Sequence, residues 1–149
     1  MAAEELAEHL RKFHTVGLNE GGTMIMRWYD TRILPVWMAC LSPVQVTQFT
    51  AGILALQYVD RFGAVSVLHD AEPVGALPAT PPFGQPLIQL TDQQFGMLVD
   101  ASDTDLLISH LRRVITDETN ALKPHVLFEF VRKYQQRAVA AGIRDIDRQ

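Results

Sequence analysis

The sequence predicts an α+β fold in which a small lobe with β-hairpins and short helices is followed by a proline-rich connection and an all-helical lobe. Two pairs of short apolar runs, each pair separated by a glycine-containing loop, predict hairpins before residue 70. Five of the eight prolines lie between residues 70 and 86, where no helix can persist. Beyond residue 90, apolar residues recur at helical spacing. We therefore expect an α/β lobe with two hairpins at 1–69, a linker at 70–90 and a helical lobe at 91–149.

The first lobe opens with a predicted helix and a predicted hairpin. Leu6, Leu10 and Phe13 recur at helical spacing in AEELAEHLRKFH, with charged residues on the other face. The stretch TVGLNEGGTMIMRWY then predicts two strands around a loop whose glycines adopt positive φ at little cost. Alternation along the second strand predicts two opposite faces, with Met24, Met26 and Trp28 on one and Ile25, Arg27 and Tyr29 on the other.

Two short helices and a second hairpin complete the predicted lobe. Asp30 is placed to cap a helix over TRILPVWMA, which Pro35 makes either very short or kinked. Ser42 is the predicted N-cap of the next helix, with the Gln45 side chain reaching back to it. Gly52 is expected to end that helix. The two strand-like runs of LALQYVDRFGAVSVLHD, on either side of DRFG, predict the second hairpin.

The second lobe is predicted to consist of helices. Thr91 and Gln94 form a predicted capping box, and the segment DASD is expected to bend or break the helix that follows. A last helix is expected to start near Pro124 and to end at a left-handed cap at Gly142. Helical spacing predicts two buried stripes, Leu107, Leu111, Val114 and Ile115 in the first segment and Leu127, Phe130, Val131, Tyr134 and Ala138 in the last.

Composition and charge exclude several classes of protein. Hydrophobic residues make up 48% of the 149 and charged residues 20%, which is typical of a globular chain rather than a disordered one. The net charge of −4 gives no general attraction to nucleic acid or anionic lipid. No apolar run approaches the roughly eighteen residues of a membrane span, and the start of the chain lacks the pattern of a signal peptide. We expect a cytoplasmic protein with no membrane insertion.

No motif predicts catalysis, a metal or a cofactor. The five histidines are scattered, without the spacing of paired metal ligands. The GxSxG and GxxxxGK patterns are absent. Cys40 lies in the apolar run PVWMACL and is expected to be a buried, unreactive thiol. Phe130 and Tyr134 alternate with basic residues in FVRKYQQR, but their helical spacing favours core packing over nucleic-acid binding.

The stretch RWYDTRILPVW is the strongest candidate site. Asp30 can cap a helix and pair with one arginine at once, which favours a role in fixing the corner between strand and helix. Direct contact of an arginine with an acidic partner group stays open, and so does catalysis. The candidate residues for partner binding or for the motif are Arg27, Trp28, Tyr29, Asp30, Arg32 and Trp37.

These residues carry a resemblance to a known family. The order RWYDTRIL followed by LSPVQVTQF resembles the effector-loading chaperones of bacterial type VI secretion, long catalogued as a domain of unknown function. The usual pattern there is Arg-aromatic-Tyr-Asp-Pro-Arg-aliphatic-Leu, and Thr31 stands here where proline is common. The later segments LIQLTDQQFGML and HLRRVI are similar to the helical lobe of that family. The chain resembles about the C-terminal two-thirds of the family domain.

The resemblance implies an adaptor with no enzymatic activity. Such proteins bind a toxic effector in the cytoplasm, often through the effector's N-terminal region, and help to mount it on the spike protein VgrG. Arg27, Tyr29, Asp30 and Arg32 transfer as positions of the family pattern. The alternative is a structural or homo-oligomeric interaction module whose motif only holds its fold. Five large side chains are either adaptable partner contacts or core, namely Met24, Met26, Trp28, Trp37 and Met38.

Overall fold

The computed structural model describes residues 2–72, 77–82 and 85–143 and confirms the predicted α+β class. The chain divides into two compact units, Met1–Ala101 and Ser102–Gln149. Its elements in order are α1 (Ala3–Arg11), β1 (Thr15–Leu18), β2 (Thr23–Ile25), α2 (Leu34–Cys40), α3 (Pro43–Thr50), β3 (Ala55–Val59), β4 (Val65–Asp70), β5 (Ile88–Leu90), α4 (Asp92–Val114), α5 (Thr116–Ala121) and α6 (Pro124–Ala140).

Both predicted hairpins are present in the first unit. Strand β1 pairs antiparallel with β2 around a loop in which Gly21 and Gly22 have φ of 94° and 85°. Strands β3 and β4 form a separate two-stranded sheet, whose turn places Gly63 at φ 87°. These three glycines lie in the left-handed region, where a Cβ atom is disfavoured. The glycine pattern therefore located the turns correctly.

Two strands differ from their sequence-based expectation. Residues 88–90, which fall within the predicted linker, form β5, which pairs in parallel with β1 in a sheet of order β2-β1-β5. The second strand was expected to reach Tyr29, and this is wrong because β2 ends at Ile25. A turn in which the Asp30 amide donates to the Arg27 carbonyl at 2.9 Å ends the extended backbone. The predicted alternation persists beyond the strand, with Met26 buried and Arg27 exposed.

Aromatic packing forms the core of the first unit. The Phe49 ring lies edge-on to the rings of Phe13, Trp28 and Trp37, with centroids 5.0, 5.8 and 6.0 Å away. Each fully buried side chain of this size stabilises the fold by roughly 1.5–3 kcal/mol. The buried residues of this cluster come from helices, strands and the segments between them, namely Phe13, Val16, Met26, Leu34, Trp37, Cys40, Leu41, Phe49, Ile88 and Leu90.

The short helices begin where the sequence places proline and serine. Helix α2 has Pro35 in its first turn and spans seven residues. Of the two predicted forms, very short or kinked, the short one is therefore present. Helix α3 begins with the predicted capping box, in which the Gln45 amide donates to Ser42 Oγ at 3.3 Å and the Ser42 amide donates to Gln45 Oε1 at 2.9 Å. Gly52 follows α3 with φ of 74°. Cys40 is buried, as expected, and burial raises the pKa of its thiol to about 11, so the thiol is protonated at neutral pH.

Glutamine side chains connect the start of α4 to the first unit. The predicted box is present, with the Gln94 amide donating to Thr91 Oγ1 at 3.2 Å. Gln94 Nε2 also donates to the Cys40 carbonyl at 2.9 Å and to Gln45 Oε1 at 2.7 Å. The Gln45 side chain in turn donates to the Gln89 carbonyl at 2.9 Å. These bonds join α2, α3, β5 and the start of α4 within one unit.

The second unit contains the rest of α4, then α5 and α6. The helix α4 continues through DASD without a break, and α5 was not predicted. Ile108, Leu127 and Val131 form a small core, and Thr104 Oγ1 donates to Gln135 Oε1 at 2.7 Å. Helix α6 starts at Pro124 as predicted. It ends with Gly142 at φ 78° and with the Ile143 amide donating to the Ala138 carbonyl at 2.9 Å, which is a left-handed cap.

The predicted buried stripes of this unit are only partly correct. Leu127 and Val131 are buried, but Phe130 is 54% and Tyr134 49% exposed. Leu107 and Val114 are also exposed, whereas Ile108 is buried one residue further along α4. The buried arc of each helix is narrower than the apolar arc of its sequence. Apolar side chains on the outer part of that arc therefore remain in contact with solvent.

Candidate functional site

The corner between β2 and α2 consists of two consecutive turns. The Arg27 carbonyl accepts the Asp30 amide, and the Asp30 carbonyl accepts the amides of Ile33 and Leu34, each at 2.9 Å. Helix α2 begins only after this second turn, and no side chain caps its first residue. The expectation that the Asp30 carboxylate caps a helix starting at Thr31 is therefore wrong. The carboxylate instead accepts the Arg32 amide at 3.0 Å and holds the turn that precedes the helix.

The Asp30 carboxylate also forms a bidentate ion pair with Arg32. Arg32 Nη2 donates to Asp30 Oδ2 at 2.6 Å and Arg32 Nε donates to Asp30 Oδ1 at 2.9 Å. The Asp30 side chain is 17% exposed and the Arg32 side chain 51%. The hydrogen bonds from Arg32 lower the pKa of Asp30 from 3.8 to about 2 against an opposing contribution from burial. The corner therefore carries a carboxylate that is ionised throughout the physiological range.

The second arginine of the motif has a different position. Arg27 is exposed, and it makes a weak, long-range contribution to lowering the pKa of Asp30. Within the described part of the chain, its side chain takes part in no hydrogen bond or ion pair. Of the two arginines, Arg32 is the one that pairs with Asp30. The Arg27 guanidinium remains accessible to an acidic group from outside.

The aromatic residues of the motif pack against a histidine that the sequence analysis did not single out. The Trp28 ring stacks on His14 with centroids 5.4 Å apart and planes at 29°. Tyr29 approaches both rings edge-on at 5.8 Å and is itself exposed. His14 is the last residue of AEELAEHLRKFH, where a helix was predicted, but α1 ends at Arg11, so nothing in the sequence indicated that His14 lies beside the corner. Trp28 is half-buried, so part of its ring is available at the surface.

Trp37 lies apart from these surface residues. It is 0% exposed and packs against Phe49 in the core. A partner cannot touch it in the folded chain, so its contribution to the motif is to hold the fold. Met26 is likewise buried, and Met24, Trp28 and Met38 are half-buried against the core. Most of the five large side chains that were expected to be either partner contacts or core residues therefore belong to the core.

An apolar groove runs between α1 and the corner. It has a volume of about 360 Å³, and its floor follows the i, i+3, i+4, i+7 spacing of one face of α1. One cation, Arg11, lines it. Such a groove can accept an apolar side chain of a partner, because burial from water is the main interaction it offers. Its lining residues are Ala3, Leu6, Ala7, Leu10, Arg11, His14 and Trp28.

A second groove lies along another side of α1. It has a volume of about 490 Å³ and a more polar lining, which includes Glu8, Arg11, Lys12 and Gln85. Lys12 Nζ donates to the Pro78 carbonyl at 2.7 Å, so one cation of this lining already has a partner. Of the two grooves, only the first adjoins the aromatic residues of the motif.

The described residues contain neither a cluster of metal ligands nor a helix that could span a membrane. Across residues 2–72, 77–82 and 85–143, no three His, Cys, Asp or Glu side chains lie close enough together to hold a metal ion. In the same ranges, none of the helices has both the length and the apolar character needed to cross a membrane.

Comparison with known proteins gives one match. A family model described as "Domain of unknown function (DUF4123)" matches residues 1–48. No curated protein matches, and no solved structure matches. The matched range extends from α1 into α3 and includes the whole corner, the groove beside it and RWYDTRIL. The similarity of later segments to the same family stays a prediction.

Proposed function

We propose that this chain is a non-enzymatic, cytoplasmic adaptor that binds a toxic effector of a bacterial type VI secretion system and helps to place it on the VgrG spike. The observation that carries the proposal is the domain match over residues 1–48, which covers the segment RWYDTRIL. The resemblance of that segment to effector-loading chaperones supplies the function. The folded corner supports it, because Asp30 and Arg32 are paired there as a fixed structural element.

The corner is the scaffold and the adjacent groove is the proposed anchor for the effector. Asp30 and Arg32 fix the second turn of the corner, Trp28 lies in the first turn, which the Asp30 amide closes, and Trp28 lines the groove together with α1. An apolar side chain of the effector buried there gains roughly 1.5–3 kcal/mol. This gain is a substantial part of a micromolar affinity, which corresponds to about 8 kcal/mol.

Two cations give this anchor a preference for acidic neighbours. Arg11 lines the groove, and Arg27 is exposed beside Trp28 in the chain. An effector segment with an apolar side chain flanked by carboxylates satisfies both features. Rim charges of this kind contribute more to the rate of association and to specificity than to affinity.

The test is a pull-down with the tagged full chain from the bacterium that encodes it, grown while the secretion system is made. We expect mass spectrometry to identify one toxin-like effector, with or without VgrG. Leu6→Glu places a charge in the groove without removing a buried core residue, and it should abolish recovery of the effector. Val44→Glu is the matched control, since Val44 is an exposed apolar residue on α3 that does not line the groove.

Two results would count against the proposal. Recovery of nothing but the chain itself would favour the homo-oligomeric module instead. Equal recovery of the effector with Leu6→Glu and Val44→Glu would leave the adaptor function standing but would remove the groove as its anchor. Circular dichroism of each variant establishes that loss of binding is not loss of folding.

A further inference from the structure

Helix α6 carries an exposed apolar and aromatic face. Val126, Phe130 and Tyr134 are spaced by four residues, so they form one stripe along the helix. All three are exposed, and the Phe130 and Tyr134 rings lie against each other with centroids 4.6 Å apart. We call this stripe the α6 aromatic face. Large apolar side chains clustered in this way on a soluble protein commonly mark an interaction site.

Positive charge surrounds the α6 aromatic face. Lys133 and Arg137 are exposed and lie on the same side of α6, because helical geometry places them within about 60° of Phe130. Lys123, also exposed, directly precedes the helix. The Arg137 guanidinium lies over the Tyr134 ring at 5.4 Å. Glu129 is the one acidic residue between positions 123 and 140. An apolar stripe bordered by cations is complementary to an apolar stripe bordered by carboxylates.

Among residues 102–143, no element of the second unit covers this face. Within the described residues, its buried apolar core consists of Ile108 on α4 and of Leu127 and Val131, which lie on the side of α6 that adjoins the stripe. A unit of about fifty residues buries a smaller fraction of its surface than a larger domain does, and it gains stability when a partner covers more. Binding at the stripe therefore supplies burial that the described part of this unit does not.

We propose that the α6 aromatic face docks an acidic amphipathic helix of a protein partner. The inference deepens the proposed function and rests on it for the identity of the partner, which is the effector or the spike protein. The chemistry of the site does not depend on that identity. The apolar ridge of the partner helix packs on Val126, Phe130 and Tyr134, and its carboxylates pair with Lys133 and Arg137.

Charge and ring geometry disfavour two other occupants. A second copy of this chain, docked through the same face, would place Lys133 and Arg137 near their own counterparts, and like charges repel. Single-stranded nucleic acid needs open ring faces on which bases stack. Here the Phe130 and Tyr134 rings are tilted at 47° against each other, and Arg137 covers one face of Tyr134. A protein helix requires only the outer edge of this stripe.

The test measures binding of the full chain to fluorescein-labelled probes by anisotropy. The first probe is a helical peptide with leucines along one face and glutamates at its borders. The second has lysines in place of the glutamates, and the third is single-stranded oligothymidine. We expect the acidic peptide to bind at least about tenfold more tightly than either of the others, and added salt to weaken it.

Variants of α6 locate the binding. Phe130→Gln, and separately the pair Lys133→Glu and Arg137→Glu, should each weaken the acidic peptide at least about tenfold. Arg132→Glu is the matched charge control, because Arg132 lies over Phe128 on the opposite side of α6. It should weaken binding by less than about threefold. All of these positions except Phe128 are exposed, so circular dichroism should show unchanged folding.

Each contrary outcome has a clear meaning. The inference is overturned by an acidic peptide that does not bind, by equal binding of the acidic and basic peptides, or by tighter binding of oligothymidine. Dimerisation of the chain that Phe130→Gln abolishes would also overturn it. If the acidic peptide fails to bind but the pull-down still recovers an effector, the inference is refuted and the proposed function stands. Binding of the acidic peptide without any effector recovered refutes the proposed function and leaves the inference standing.

Discussion

Replacing Asp30 with asparagine tests whether its ion pair with Arg32 holds the corner together. Asparagine keeps an oxygen that can accept the Arg32 amide, now bonded to Asp30 Oδ1 at 3.0 Å. It loses the negative charge that pairs with the Arg32 guanidinium at 2.6 and 2.9 Å. The substitution thus removes the electrostatic part of the interaction and leaves the shape of the side chain almost unchanged.

The size of the effect follows from the pKa of Asp30. A fall from 3.8 to about 2 corresponds to an upper limit of about 2–3 kcal/mol, at 1.36 kcal/mol per pH unit. Because half of the Arg32 side chain is in contact with water, screening reduces this value, and we expect a loss of about 1 kcal/mol. In a chain of this size such a loss lowers Tm by roughly 2–4 °C.

The loss should depend on pH in a defined direction. The folded-state pKa of Asp30 is lowered, so its contribution is present above the unfolded-state value and disappears as pH falls from about 4 to about 2. Urea denaturation should therefore show Asp30→Asn less stable than the natural chain at pH 7, with the difference shrinking toward zero near pH 2. Glu20→Gln is the control, since Glu20 is an exposed carboxylate at the tip of the first hairpin.

Two results would refute this reasoning. One is an unfolding free energy unchanged at pH 7 by Asp30→Asn, which would mean that solvent cancels the ion pair entirely. The other is a loss of the same size at every pH, which would mean that the substitution disturbs the turn for reasons other than charge.

Three further predictions concern stability measured by urea denaturation. Phe49→Ala should cost about 3–5 kcal/mol, since Phe49 is fully buried at the centre of the aromatic core; a cost below about 1 kcal/mol would contradict that packing. Burial lowers the pKa of His9 below 6.5 in the fold, so stability should fall from pH 7 to pH 5 as the unfolded state takes up the proton. His9→Gln should remove that slope, and a slope that persists would assign it to another group. Ser42→Ala should cost about 1 kcal/mol through loss of the cap to the Gln45 amide, whereas a neutral result would show that water replaces the hydroxyl.

Local features of this fold were predictable from the sequence because they depend on neighbouring residues. The Ser42 and Thr91 boxes, the turn at Gly63 and the cap at Gly142 each join groups fewer than six residues apart. Strand β5 was missed because it pairs with a distant part of the chain, Ile88 lying opposite Val16. The strand has only three residues, and nothing in its own sequence after the proline-rich stretch indicates that pairing.

The candidate site was predictable in part for the same reason. The pairing of Asp30 with one arginine followed from their proximity in the chain, but which arginine pairs was decided by the turn between them. The burial of His9, whose Nε2–H donates to the Phe49 carbonyl at 2.9 Å, depends on a contact across forty residues of chain. The exposure of Phe130 was missed because helical spacing indicates which face is apolar but not how much of it is covered.

The central claim, that this chain loads an effector for export, is tested most directly by secretion. The gene is deleted in the bacterium that encodes it, and exported proteins are quantified by mass spectrometry of the medium. We expect one effector to stay in the cells while another protein exported by the same apparatus is still released. We also expect the natural chain to restore export, and Val44→Glu to do so but Leu6→Glu not to. Unchanged export of every effector after the deletion would contradict the claim.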